Sequence, residues 1–239
     1  MCTVTFLPRG SGYALGMNRD EKLSRATGLP PALRSINACN VICPSEPAGG
    51  TWIATSERGI TFALINWYSV AANAGKDATS RGEIVLAVAG AAGSESASDI
   101  LEASRLRNVN PFRLIGVFPR AREIVEWRWD LKQLRRMSHA WRAQIWISSG
   151  SNEAEAQRVR SRVFERALHE PSFGTLEWLR RLHYSHTPRR SALSICMHRA
   201  DAATVSYTEV SVTGHGARML YSKGPPCIAS DRDSLSLPR

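Results

Sequence analysis

Period-two alternation, interrupted at short intervals by glycine-bearing turns, governs the first 66 residues. Cys2-Thr3-Val4-Thr5-Phe6 alternates as a strand does, and Pro8-Arg9-Gly10-Ser11-Gly12 turns the chain into a second strand over residues 13–18. A second hairpin joins Thr51-Trp52-Ile53-Ala54-Thr55 to residues 60–66 across Glu57-Arg58-Gly59, where glycine accepts a positive φ. Connections this short join antiparallel neighbours, because a parallel crossover needs a much longer return path. Between the hairpins, residues 29–47 carry Pro30, Pro31, Pro44 and Pro47 and read as loop.

Helical spacing follows over residues 80–89 and 96–105, and again over 153–168. In the last, Asn152 offers a cap and Ala156, Val159, Val163, Phe164 and Ala167 share one face. Residues 112–118 and 122–130 return to strand, and 191–197, 204–212 and 218–221 read as closing strands. Strands, helices and strands again, joined by hairpins, give an α+β class with antiparallel sheets and helices packed outside. One domain is expected over residues 1–222, with 223–239 as a frayed tail. Trp127, Trp129, Trp141 and Trp146 are expected to fill the core or line a pocket.

No apolar run reaches the ~18–20 residues that cross a bilayer, so no integral membrane association is expected. The first residues lack a basic segment before their apolar run, and five cysteines are an odd number in a chain of this length. Both point to a reducing, cytoplasmic setting. The net charge of +10 falls wholly in residues 101–239, which invites a nucleic-acid reading. The basic residues are scattered arginines with no recognised nucleic-acid module, so no nucleic-acid partner is expected.

Chemistry centres on Cys2. Removal of Met1 would leave a thiol and a free α-amine on one residue, with ordinary pKa values of about 8.5 and about 7.7–8.0, so nucleophile and base exchange a proton near neutrality. The plainer reading is a small apolar residue opening a strand. His183-x-x-His186 followed by Cys196-x-His198 fits no standard zinc spacing, and no metal is expected. Cys39-x-x-x-Cys43 lacks the redox spacing and reads as two loop or core thiols.

MCTV at the start, GMNRDE at residues 16–21, LPP, GGTWIA at 49–54, ALIN ending at Asn66 and SRGEIV at 80–85 together resemble the NRDE family of Transport and Golgi organisation 2-like proteins. That family is in turn similar to N-terminal nucleophile (Ntn) hydrolases of the choloylglycine hydrolase and penicillin V acylase type. The resemblance implies a four-layer αββα sandwich, two antiparallel sheets between helical layers. It implies Cys2 as nucleophile, Asp20 holding its amine and thiol, and Asn66 as an oxyanion donor, with Asn18, Trp52, Ser148 and Ser149 as substrate contacts. In those hydrolases an arginine precedes the asparagine, whereas here that place is Met17 and the arginine is Arg19. The two positions share a strand face about 6.6–6.8 Å apart, so a guanidinium still reaches the same centre. A late arginine of the hydrolases would correspond to Arg190 or Arg199.

Two functions follow. One is a hydrolase cleaving the carbon–nitrogen bond of a small amide or acyl substrate without a cofactor. The other is a non-catalytic protein binding haem or an acyl ligand on the same fold, as the resemblance implies.

Overall fold

The first hairpin forms where the alternation places it. In the computed structural model, which describes residues 2–75 and 77–238, β1 (Cys2–Arg9) pairs antiparallel with β2 (Gly12–Lys22). Then come β3 (Leu29–Ile36), β4 (Cys39–Ser45), β5 (Ile53–Ser56) and β6 (Thr61–Asn66), followed by α1 (Arg81–Val88) and α2 (Ser94–Ala103). β7 (Phe112–Phe118), β8 (Glu123–Trp129), β9 (Leu134–His139) and β10 (Gln144–Ser148) lead to α3 (Glu153–Ala167) and α4 (Leu176–Tyr184). The described chain ends with β11 (Ala202–Val212), β12 (Gly216–Lys223) and β13 (Arg232–Pro238).

These strands make two antiparallel sheets, ordered β10-β1-β2-β11-β12-β13 and β3-β4-β5-β6-β7-β8-β9. Phe6, Leu15 and Met17 of the first meet Ile53, Ile65 and Ile115 of the second in a dry core. Alternation sends the intervening side chains outward. On the outer face of the seven-stranded sheet, Phe62, Leu114 and Trp127 pack under Val85 and Leu101 of α1 and α2. Beyond the six-stranded sheet, Leu7 and Ala14 meet Phe164 of α3 and Trp178 of α4. The layers are therefore α, β, β, α, the architecture implied by the resemblance.

Four segments depart from the sequence reading. The proline-rich stretch is a hairpin, because β3 is an edge strand that tolerates proline and its register slips between Leu29 and Ala32, where Pro30 and Pro31 sit. Residues 191–197 form no strand; side chains take several of their carbonyls, those of Ala192, Leu193, Ile195 and Cys196 among them. The expected frayed tail ends in β13, which pairs along β12 and buries Leu237 in the core between the sheets. His183 and its neighbours form α4, capped by Thr175, a helix the sequence reading does not contain. The tryptophans divide: Trp146 enters the core between the sheets with Trp141 packed against it, while Trp127 and Trp129 lie beneath α1 and α2.

Candidate active site around Cys2

Cys2 opens β1, flanked by Arg19 of β2 on one side and Ser148 of β10 on the other. A strand with neighbours on both sides holds the sulfur rigidly. The Cys2 nitrogen donates to Ser148 Oγ at 3.1 Å, and the backbone N–H of Asp20 points at the sulfur. Burial pushes the Cys2 thiol above its ordinary pKa and the Asp20 charge adds to this, while the Arg19 cation opposes both. Met1 lies outside the described residues.

A cavity of about 270 Å³ opens beside the sulfur, with Arg19, Glu46, Trp52, Asn66 and Arg81 in its walls. The Arg19 guanidinium lies over the Trp52 ring at 4.6 Å and donates to Glu46 at 2.8 Å and Glu21 at 3.5 Å. Arg25 completes the square, reaching the same two carboxylates at 2.7 and 2.8 Å. Two cations thus face two anions, and stacking on Trp52 fixes the orientation of Arg19. Asn66 donates its amide to the Tyr68 hydroxyl at 2.7 Å at the cavity wall.

Arg81 is brought there by two glycines. A Cβ on Gly82 would stand 2.8 Å from Thr51 N and 3.0 Å from the Cα of Gly50, itself at φ +74°, so GGTW and SRGE are two sides of one backbone contact. Thr51 N donates to Gly82 O, and Ser80 caps the helix by accepting from Gly82 N. Arg81, the first residue of α1, donates to Pro111 O at 3.3 Å. Among the described residues, no carboxylate lies within ion-pair distance of it.

The Asp20 side chain leaves the opposite face of the sheet. Its Oδ1 accepts from Thr204 Oγ1 at 2.6 Å and its Oδ2 from Arg160 Nη1 at 3.2 Å, all three side chains being buried. Arg160 also donates to Thr3 Oγ1 at 2.7 Å and to the carbonyls of Ala192 and Leu193 at 3.4 Å each. Asp20 therefore meets Cys2 through its backbone while its carboxylate anchors the sheet to α3. Arg190 and Arg199, the two positions offered for a late arginine, reach His198 and Asp201. A signal for Arg160 existed: Ala156, Arg160 and Phe164 recur every fourth residue along the buried face of α3.

Three expected substrate contacts stand elsewhere. Asn18 is buried and spends both amide hydrogens on the carbonyls of His183 and Ile195, at 2.8 and 2.9 Å. Its Oδ1 must then accept from His183 Nδ1 at 3.1 Å, which fixes the tautomer and leaves Nε2 to accept from Thr5 at 3.0 Å. Burial, with Arg160 nearby, pushes His183 down to about 3, so the ring is neutral. Gly16 makes room for it, since a Cβ there would lie 2.7 Å from Nε2. Ser149 is buried outside the cavity lining, with its hydroxyl 3.4 Å from that of Ser151, and Ser148 serves the Cys2 nitrogen. Of the substrate contacts, Trp52 alone lines the cavity. His183 and His186 part company: His186 joins Cys196, His198 and Cys227, all ligand atoms lying within 4.8 Å of one another.

The architecture has solved counterparts. A conjugated bile acid hydrolase from Clostridium perfringens, as a cysteine-to-alanine mutant, superposes with a TM-score of 0.59 at 9% identity, over 99% of this chain and 92% of that one. An arginine-to-leucine variant of the same hydrolase gives 0.57 at 9% identity, over 98% and 92%. Penicillin V acylase from Agrobacterium tumefaciens gives 0.54 at 9% identity, over 93% and 83%. At such identity the likeness establishes the fold, that of Ntn hydrolases. No curated protein matches the sequence. The profile of the family described as Transport and Golgi organisation 2 matches residues 1–166, and the chain belongs to that family.

Proposed function

We propose that the protein is an N-terminal cysteine hydrolase that cleaves the carbon–nitrogen bond of a small amide after removal of Met1. One observation carries the reading: Cys2 borders a charged cavity at the end of a central strand, with the Asp20 N–H on its sulfur and the Arg19 cation beside it. Once Met1 is gone, the α-amine accepts the thiol proton and the sulfur attacks the carbonyl carbon. Asn66, in the same cavity wall, is the side-chain donor we assign to the resulting oxyanion. Collapse expels the amine with the proton taken from the α-ammonium, leaving a thioester. Water then releases the acid and restores the thiol.

Arg81, without a carboxylate partner among the described residues, favours a substrate bearing a negative group. The bile acid hydrolase and penicillin V acylase named above support amide chemistry on this fold. Walls made largely of arginine, glutamate and hydroxyl groups suit such a substrate better than the face of haem or an acyl chain, the ligands of the non-catalytic alternative. Among the described residues no helix is long and apolar enough to cross a membrane. The free cysteines favour a reducing, cytoplasmic setting for the reaction.

The test is intact mass after exposure to an electrophilic lactam. Protein lacking Met1 should gain one adduct, mapped to Cys2, and Cys2→Ala should gain none. A chain from native cells that retains Met1, or labelling indifferent to a blocked terminus, would refute the mechanism.

A further inference from the structure

Three segments remote in sequence converge behind the six-stranded sheet. His186 follows the C-terminus of α4, Cys196 and His198 lie on the irregular segment before β11, and Cys227 lies on the connection from β12 to β13. His198 Nε2 is the hub, 3.1 Å from His186 Nε2 and 3.5 Å from each of the two sulfurs. Neutral partners at these distances would be a crowded packing of poor donors. For a tetrahedral zinc with Zn–S about 2.3 Å and Zn–N about 2.0–2.1 Å, ligand atoms stand about 3.3–3.8 Å apart. The two sulfur separations to His198 fall within that shell, and the imidazole separation of 3.1 Å lies just below its lower edge.

We propose that His186, Cys196, His198 and Cys227 form a structural site for one zinc-class divalent cation. On binding, the two thiols release their protons to solvent, and two thiolates with two neutral imidazoles balance the dication. A tetrahedral S₂N₂ set selects zinc among common divalent ions, and four protein ligands leave no open position for a substrate. Arg190 Nη2 stands 3.1 Å from His198 Nδ1; with the cation on Nε2, that nitrogen carries the ring proton, and the exposed Arg190 side chain turns to solvent. The spacing argument against a metal counts His183, which is buried elsewhere, and leaves out Cys227, which β12 brings back.

The position gives the cation a purpose. Met197, between two ligands, donates its N–H to Thr204 Oγ1 at 2.8 Å, and Thr204 holds Asp20. The carbonyls of Ala192, Leu193 and Ile195 accept from Arg160 and Asn18. An irregular segment that joins β11 only near its end, through the His198–Ala203 bridge and the Thr204 N–H on Met197 O, thus backs the Asp20 carboxylate, and a cation would tie it to the end of α4 and to the connection between β12 and β13.

Protein purified under reducing conditions without chelator should contain about one zinc per chain by elemental analysis. Cobalt(II) loaded in its place should give thiolate charge-transfer and tetrahedral d–d absorption. Cys227→Ser and His186→Ala, both at half-exposed positions, should lose the metal and the bands while circular dichroism reports the fold; Cys39→Ser should keep them. A chelator should lower the unfolding temperature of the parent and leave that of Cys227→Ser unchanged. Folded parent protein with only trace metal and no cobalt bands overturns the proposal. So does a protein two hydrogens lighter with a Cys196–Cys227 disulfide that persists in reductant. Neither result bears on whether Cys2 reacts with a lactam, so the two proposals fail separately.

Discussion

Glu126 of the seven-stranded sheet and Asp20 of the six-stranded sheet are both buried against arginine, and the two are held in opposite ways. Glu126, in the middle of β8, is met by partners from its own sheet: Arg113 of β7 at 2.5 Å, Arg128 of β8 at 2.9 and 3.0 Å, and His139 of β9 at 2.8 Å. Asp20 is met by Arg160 of α3 and Thr204 of β11, which come from 140 and 184 residues away in the chain. Glu126 and its partners stitch adjacent strands, and Arg113 also reaches across to the carbonyl of Ile147 in β10 at 3.4 Å. Asp20 ties a sheet to a helix layer while its backbone faces the sulfur. The same ionic device stabilises one sheet locally and, in the other, anchors the strand end that stands beside Cys2.

Substitution should separate them. In Asp20→Asn the carboxylate that anchors the end of β2 is gone and Arg160 is left buried with its charge uncompensated. Turnover per folded molecule should fall on the order of a thousandfold, the scale seen when a group orienting catalytic machinery is lost. Activity within a few-fold of the parent would remove Asp20 from the mechanism. Glu126→Gln should leave turnover intact and destabilise the fold by about 3 kcal/mol, since it strands partly buried cations. Denaturant unfolding checks the second, and an equal loss of activity there would dissolve the contrast.

Acid should affect the two regions in different windows. Burial alone would raise the Glu126 carboxyl, but His139, Arg128 and Arg113 outweigh it and hold it well below the usual carboxylate range. Its stabilisation is thus present above about pH 4.3, the unfolded value, and is lost as pH falls below that. His183, behind the candidate site, is also depressed, to about 3, by burial and then by Arg160. Its neutral form therefore favours folding above about pH 6.5, and that contribution is lost between about 6.5 and 3, at about 1.4 kcal/mol per pH unit. Unfolding midpoints should begin to fall near pH 6.5 in the parent; in Glu126→Gln the first slope should remain and the one below pH 4.3 should flatten. A parent curve flat from pH 7 to 5 would contradict the buried, neutral His183.

The contrast also explains what could be read in advance. The strands of the first hairpins were legible because their side chains alternate and their turns carry glycine; of the residues singled out in advance, Cys2, Arg19, Trp52 and Asn66 line one cavity, which Arg81 joins without having been singled out. Arg160 was passed over although its spacing puts it on the face of Ala156 and Phe164, because charge reads as solvent-facing and its burial depends on a carboxylate 140 residues away. Asn18 misled in the opposite sense, since a polar residue in a motif looks functional until its donors are found on the carbonyls of His183 and Ile195. Residues 191–197 carry enough apolar side chains to pass for a strand, yet Arg160 and Asn18 claim several of the carbonyls that a ladder would need. Cys227 could not be linked to His198 across 29 residues until β12 had a place in the sheet.

Arg81 supplies the inverse case, an arginine at the site with no carboxylate against it among the described residues, and gives the smallest effect. Gly50 and Gly82 fix its backbone and Ser80 caps its helix, so Arg81→Gln should leave the unfolding midpoint unchanged. Its hydrogen bond to Pro111 O, at 3.3 Å, engages only part of the guanidinium, and burial lowers its pKa without removing the charge. A substrate carboxylate bound there is held equally in ground and transition states, so the variant should raise KM about tenfold with kcat unchanged. An uncharged amide should be cleaved by parent and variant at the same KM. If kcat falls instead, Arg81 acts on the reacting centre itself, and the division between residues that hold substrate and residues that hold the sulfur must be redrawn around it.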